Sequence, residues 1–348
     1  MLTLNKATSL TKNIAKWSAI IVGSIILLLI LVRVGKTLKE IIAPTPLPPP
    51  TVSFGKLPPI EFPKSSSVQQ LNYSIDTVTG ALPKFPDRTR VFKIEEPNPD
   101  ILALKKTGER VSRAGFSSSA IRVLGNTYQW IDPQSSTLRK INVDIFTLQF
   151  SISSAFLGNQ SVISGLNLPD PNKAKAVAQD LLLSLSFLYN DLDLEKTKTN
   201  LFSIKNSVLV PATSISAAQV IEIDFFQKDI DKLPVVYSKA NNSTMNIFVG
   251  GGENQPQVVK TDFFHQNVSS ESATYPIKTA SDAFLELKNG NAYILSPSNN
   301  KDVSVRNVYL GYYMENKEQN FLMPVVVFEG DNGFIAYVSG VKDEWINK

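Results

Sequence analysis

The apolar and polar positions divide the chain into a greasy start, a proline-rich stretch and a long patterned remainder. From Trp17 to Val32 there is no charged residue, and Ile25-Ile26-Leu27-Leu28-Leu29-Ile30-Leu31-Val32 is unbroken aliphatic. Sixteen residues fall short of the roughly 20 that span the hydrocarbon of a bilayer. With Lys16 and Arg33 snorkelling, the span extends to Ile14–Val34, about 30 Å at 1.5 Å per residue. The pattern predicts one transmembrane helix over 17–34, with Trp17 at an interface and Ile25, Leu28 and Val32 in the lipid. A cleaved signal peptide fits worse. Arg33, Lys36 and Lys39 follow the run, and the first small residue, Ala43, stands before Pro44. Basic residues before and after the helix tie at three each. The short tail 1–16 and the stretch beyond favour a cytoplasmic N-terminus.

Residues 35–65 hold Pro44, Pro46, Pro48, Pro49, Pro50, Pro58, Pro59 and Pro63. Such a segment favours extended polyproline II and is expected to act as a semi-rigid stalk. Beyond it, helical and two-residue periodicities alternate. A first helix is expected near Asp100–Ala114, on apolar Ile101, Leu102, Leu104 and Val111, with Gly115 as its stop. The second has Asp170-Pro171 as a cap and first turn, then Ala174, Val177, Ala178, Leu181, Leu182, Leu185 and Leu188 at helical spacing. The third carries Ala280, Ala283, Phe284 and Leu287 and ends at Asn289-Gly290. Strands follow each helix, among them the alternating Val220-Ile221-Glu222-Ile223-Asp224-Phe225. Asp331-Asn332-Gly333 signals a hairpin, and Pro324 demotes its strand to an edge or bulge.

Helices followed by runs of strands with short connections predict an α+β fold: antiparallel sheets with packed helices after the single transmembrane helix. The expected units are a cytoplasmic tail 1–16, the helix 17–34, the stalk 35–65, and three α+β units over 66–165, 166–270 and 271–348.

The third unit carries a resemblance. Tyr275-Pro276-Ile277-Lys278-Thr279-Ala280-Ser281-Asp282-Ala283-Phe284 with Leu287-Lys288-Asn289-Gly290 is similar to the helix that opens a PepSY-like module. Val308-Tyr309-Leu310-Gly311-Tyr312-Tyr313, Phe321 to Gly330 and Phe334 to Val338 resemble its hairpin. Over residues 275–341 the chain resembles the extracytoplasmic part of YycH/YycI-type regulators. The resemblance implies PepSY-like repeats in a single-pass protein that modulates a sensor kinase. Its motif is structural and not catalytic.

Charge and composition narrow the function. Residues 1–40 carry +5 and the remainder −1, so the basic excess sits at the expected membrane end and nucleic acid is not an expected partner. With no cysteine, disulfides, thiolate catalysis and iron–sulfur clusters are excluded. His265 is the only histidine, which argues against a His-based metal site or triad; a solvent-facing or hydrogen-bonded side chain is expected. Ser53-Phe54-Gly55-Lys56, Lys106-Thr107-Gly108 and Ser298-Asn299-Asn300 match penicillin-binding strings singly but in the wrong order. Asp191, Asp193 and Glu195, and Asp229 with Asp231, alternate as calcium or sugar sites do, yet lack the loop glycine and final glutamate. Gly250-Gly251-Gly252 lacks phosphate-loop spacing and reads as a hairpin turn. Alternation puts Tyr309 and Tyr313 on one side of their strand, and these two are the candidate partner-binding residues.

No catalytic residue, cofactor or metal is expected. The expected function is a membrane-anchored, extracytoplasmic, non-catalytic binding or regulatory protein. Its partners are the bilayer, through the N-terminal helix, and a protein at the cell surface. The alternatives are a hydrolase using two carboxylates in a cleft and a structural envelope protein.

Overall fold

A computed structural model of the chain describes Trp17, residues 23–31, Arg33 and residues 49–347 apart from 64–70, 240, 241 and 299. The chain splits into two units, Met1–Pro49 and Pro50–Lys348. In the first, residues 23–31 are helical, and Trp17, Ile25 and Leu28 are exposed. Among the described residues no helix is long and apolar enough to cross a membrane. The expected single-pass anchor, and the membrane localisation built on it, are corrected accordingly. Residues 18–22, Val32, Val34 and the tail 1–16 lie outside the described residues, as do 35–48 of the expected stalk.

The rest of that stalk is not a spacer. Between its prolines stand apolar residues that pack within the second unit, which begins at Pro50. Leu57 has no exposed surface and bridges Ile346, Val52 and Phe54 pack on a cluster around Tyr275, and Phe62 stacks on Tyr293 at 5.2 Å.

The strands of the second unit are β1 (Asn72–Ile75), β2 (Arg88–Ile94), β3 (Ile121–Leu124), β4 (Thr127–Ile131), β5 (Lys140–Asp144), β6 (Phe150–Ser153), β7 (Leu192–Lys205), β8 (Val208–Pro211) and β9 (Val220–Gln227). They continue as β10 (Val235–Tyr237), β11 (Met245–Gly250), β12 (Gln257–Phe263), β13 (Val268–Pro276), β14 (Tyr293–Ser296), β15 (Asp302–Met314), β16 (Phe321–Gly330) and β17 (Ile335–Ser339). The helices are α1 (Ala103–Arg113), α2 (Gln160–Ile163), α3 (Pro171–Leu185) and α4 (Ala280–Lys288). A nine-stranded antiparallel sheet runs β3-β4-β5-β6-β12-β11-β9-β7-β8. An eight-stranded sheet runs β1-β15-β16-β17-β14, with β2, β10 and β13 attached; β1 and β10 pair parallel with β15. The expected α+β balance is thus corrected to a mostly β fold: strands of 13 and 14 residues carry the ladders, against helices of 4 to 15.

Helix-then-strands order does recur, as α1 with β3–β6, α3 with β7–β9, β11 and β12, and α4 with β14–β17. The sheets nevertheless do not divide at the three expected units. Pairing of β6 with β12 fuses the first two groups, and β1, β2 and β10 join the sheet of the third. Fusion removes two edges that separate units would leave unpaired.

Local chemistry explains the helices. Asp170 accepts hydrogen bonds from Asn172 N and Lys173 N ahead of Pro171, and α3 buries Ala174, Ala178, Leu181, Leu182 and Leu185 on Ile221, Ile223 and Ile247. Thr279 and Asp282 form a capping box on α4, whose Ala283 and Phe284 meet Phe328 and Val338. Helix α1 begins later than expected: Ile101 is exposed and Ala103, Thr107 and Val111 are the buried stripe. Pro324 lies in an interior strand and not at an edge, because the β16–β17 ladder stops at Val325–Ser339 and leaves its nitrogen without a strand to serve.

A candidate binding pocket between the two sheets

A cavity of about 450 Å³ opens where β7 and β9 of the larger sheet approach β10, β15, β16 and β17. Its apolar wall is made by Phe226, Val236, Ile335 and Tyr337, which period-two alternation turns to the same side of their strands. Short β10 is fixed there by its parallel register with β15, Val235 opposite Tyr312 and Tyr237 opposite Met314. The Tyr337 hydroxyl donates to the Tyr237 carbonyl at 3.2 Å, closing the pocket floor.

Three lysines, Lys196, Lys198 and Lys239, line the pocket. Lys196 Nζ lies 2.7 Å from Asp229 and 3.6 Å from Asp193, and the Asp229 hydrogen bond holds its pKa above the usual lysine range. Lys198 Nζ sits 5.2 Å over the Phe226 ring, a cation–π contact. Lys239 is exposed and makes no ion pair among the described residues. Opposite, the Tyr309 hydroxyl donates to Glu329 Oε1 at 2.7 Å, and burial together with that carboxylate pushes the phenol pKa far up. Tyr309 is therefore a neutral donor already engaged.

Behind the pocket lies a buried acidic pair. Glu222 and Asp224 share one face of β9 and are 5% and 0% exposed. Asn200 Nδ2 donates to both, at 3.1 and 3.0 Å, and Asn242, itself on the pocket wall, reaches Glu222 at 3.4 Å. Burial raises both pKa values, and in Asp224 burial and the Glu222 charge push it up to about 7. Neither carboxylate lines the pocket, so the pair lacks the open cleft that a two-carboxylate hydrolase needs.

Of the residues singled out from sequence, Tyr309 lines the pocket and Tyr313 does not. Tyr313 is 2% exposed and packs on Phe62 at 5.0 Å and Tyr337 at 5.9 Å. The described anchor residues, Trp17, Ile25 and Leu28, belong to the other unit. Sequence reading missed Lys196, Lys198, Lys239 and Glu329. The alternation of Lys196 and Lys198 was visible, but only the register of β10 shows what they face. Asp193 and Asp229, read as parts of a carboxylate pattern, instead clasp Lys196, and no group able to hold a metal ion occurs among the described residues.

No protein-family model matches the chain, and no curated protein matches it. Among solved structures it is similar to an uncharacterized protein from Eubacterium rectale, with 12% identity and a TM-score of 0.39, over 72% of this chain and 82% of that one. It is also similar to the C-terminal domain of YpeB from Bacillus megaterium, with 9% identity and a TM-score of 0.33, over 72% of this chain and all of the other. At these scores neither likeness carries an argument about fold or function.

Proposed function

We propose that this chain is a non-catalytic binding protein that holds a protein partner, and that an acidic segment of the partner enters the pocket between the sheets. The observation that carries this reading is the pocket's make-up. An aromatic and aliphatic wall is rimmed by three lysines, of which Lys239 is free to meet a carboxylate. Apolar walls with a few placed charges are the ordinary composition of binding clefts, and 450 Å³ has room for two or three side chains of an extended segment.

A display library of random peptides tests it with the full chain as bait. Enrichment of sequences pairing Asp or Glu with an aromatic or large aliphatic residue is expected. The double variant Lys198→Glu, Lys239→Glu is expected to lose them. If no consensus emerges, or if the double variant binds the same peptides equally well, the reading fails.

A further inference from the structure

Three tyrosine rings beside the pocket converge on the end of β10. The Tyr337 hydroxyl donates to the Tyr237 carbonyl at 3.2 Å, and the Tyr293 hydroxyl donates to the Ser238 carbonyl at 3.4 Å. A carbonyl oxygen only accepts, so the chemistry of the partners fixes the direction of both bonds. The Ser238 side chain neighbours the Tyr313 hydroxyl. The next residue along the chain is Lys239, the exposed pocket lysine proposed above to meet a carboxylate.

Two of these rings depend on a residue from neither sheet. Tyr293 stands on β14, a four-residue edge strand that pairs only with β17, where Tyr293 lies opposite Tyr337. Phe62 stacks on Tyr293 at 5.2 Å and 12° and packs on Tyr313 at 5.0 Å. Tyr293 and Tyr313 in turn pack on Tyr337, at 6.2 and 5.9 Å. Rings therefore run without a gap from Phe62 to the pocket floor. The segment that carries Phe62 is tied down at Leu57, whose N–H donates to the Trp345 carbonyl and whose carbonyl accepts from Asn347 N, both at 2.8 Å. Glu61, beside Phe62, pairs with Lys317.

In a packed cluster a ring keeps one rotamer because its neighbours leave no room for another. Without Phe62, Tyr293 is free to turn, and turning releases the Ser238 carbonyl next to Lys239. We propose that Phe62 and Tyr293 are positioning residues for Lys239: through them, segment 50–63 sets how the pocket presents its exposed lysine. The proposal rests on the binding reading of the pocket and gives that site a control, since lifting the segment away loosens the lysine.

The test reads Lys239 without any ligand. Reductive methylation of the full chain with 13C-formaldehyde gives each lysine a dimethylammonium signal that keeps its charge, and Lys239→Arg identifies the one from Lys239. Phe62→Ala is expected to shift that signal, and so is Tyr293→Phe, which keeps the ring and removes only the donor. Phe62→Tyr should restore the wild-type position. Phe54→Ala is the control: Phe54 lies on the same segment but packs on Phe321 at 5.1 Å, so it should lower the denaturation midpoint and leave the Lys239 signal in place. A peptide enriched on the wild-type chain should bind Phe62→Ala about two- to tenfold more weakly, the cost of ordering one side chain on binding. If the selection returns no consensus, the binding reading fails and the Lys239 signal still decides the coupling. A signal unmoved in Phe62→Ala or in Tyr293→Phe, one displaced as far by Phe54→Ala, or an enriched peptide held equally by Phe62→Ala overturns the proposal.

Discussion

Asp191 and Asp224 stand in or beside the same sheet, and burial pushes the pKa of each upward, yet they end on opposite sides of the ordinary carboxylate value. Around Asp191 the hydrogen bonds and charge of His265, with Gln227, outweigh burial and hold the carboxyl below the usual range. Around Asp224 the nearest charge is another carboxylate, Glu222, and the cations Lys198 and Lys239 act only from a distance. The difference teaches that burial sets the stakes and the character of the nearest charged neighbour decides the outcome. Asp224 Oδ1 is left with no hydrogen-bond partner, and so is Asn246 Oδ1, directly opposite it on β11. A proton carried on Asp224 and donated to Asn246 would satisfy both acceptors.

The largest expected effect follows from that proton. Asp224 titrates near 7 when folded and near 3.8 when unfolded, so between those values the native state binds more protons. Stability therefore falls as pH rises from about 4 to about 7, and the whole penalty is present above 7. About three pH units at about 1.4 kcal/mol each put it on the order of 4 kcal/mol. Asp224→Asn supplies a neutral amide that donates to Asn246 at every pH. Urea denaturation at pH 8 should find the variant more stable by a few kcal/mol, and at pH 4 the two proteins should agree. Equal stability of the two at pH 8 would remove the proton from Asp224.

The mirror test is smaller. His265→Phe keeps a ring against Tyr189 and removes the donor that Asp191 depends on. Loss of a charge-assisted hydrogen bond to a carboxylate is expected to cost about 1–3 kcal/mol at pH 7. The pH dependence has the opposite sign to that of Asp224. A depressed carboxyl contributes stability that is present above its unfolded value and is lost as pH falls through its folded value. The difference between wild type and variant should therefore shrink in acid. A difference that stays constant from pH 7 down to pH 3 would mean that ring packing, not the pair, was being measured.

Local signals in the sequence proved durable where chemistry is local. The Asp170-Pro171 start of α3, the Thr279–Asp282 box of α4 and the turn at Asn332, which adopts φ 53°, each rest on residues within one turn of one another. Legibility failed where the deciding partner is remote. Ile101 has helical spacing with Leu104 but no surface to cover it, and α1 rolled onto Ala103 and Thr107. Leu57 and Phe62 looked like stalk residues until Ile346 and Tyr293, more than 200 positions away, gave them cover. Glu222 and Asp224 are the polar positions of an alternating strand, and the alternation did not show that both are buried. The aliphatic run at 25–32 was the strongest single pattern in the chain, yet among the described residues no helix is long and apolar enough to cross a bilayer. Of the pocket, only Tyr309 and Asp229 were picked out beforehand, because a rim of lysines becomes a site only when two sheets meet.

Asn246 gives the finest discrimination between the two aspartates. If Asp224 is protonated at pH 5, Asn246→Leu removes the acceptor of its proton and should cost about 1 kcal/mol, the net worth of one buried hydrogen bond. At pH 8 the carboxyl is largely ionised, Asn246 Oδ1 has no donor to lose, and removing an orphan acceptor is worth about as much as the shape mismatch costs. The substitution should therefore be destabilising in mild acid and close to neutral in mild base, within about 0.5 kcal/mol. An Asn246 amide hydrogen turned toward Asp224 would reverse this order, since Asn246 would then be needed most when Asp224 is ionised. Denaturation midpoints of the variant and wild type at pH 5 and pH 8 test this, and a larger cost at pH 8 than at pH 5 would mean that Asn246 serves the ionised carboxylate and does not accept its proton.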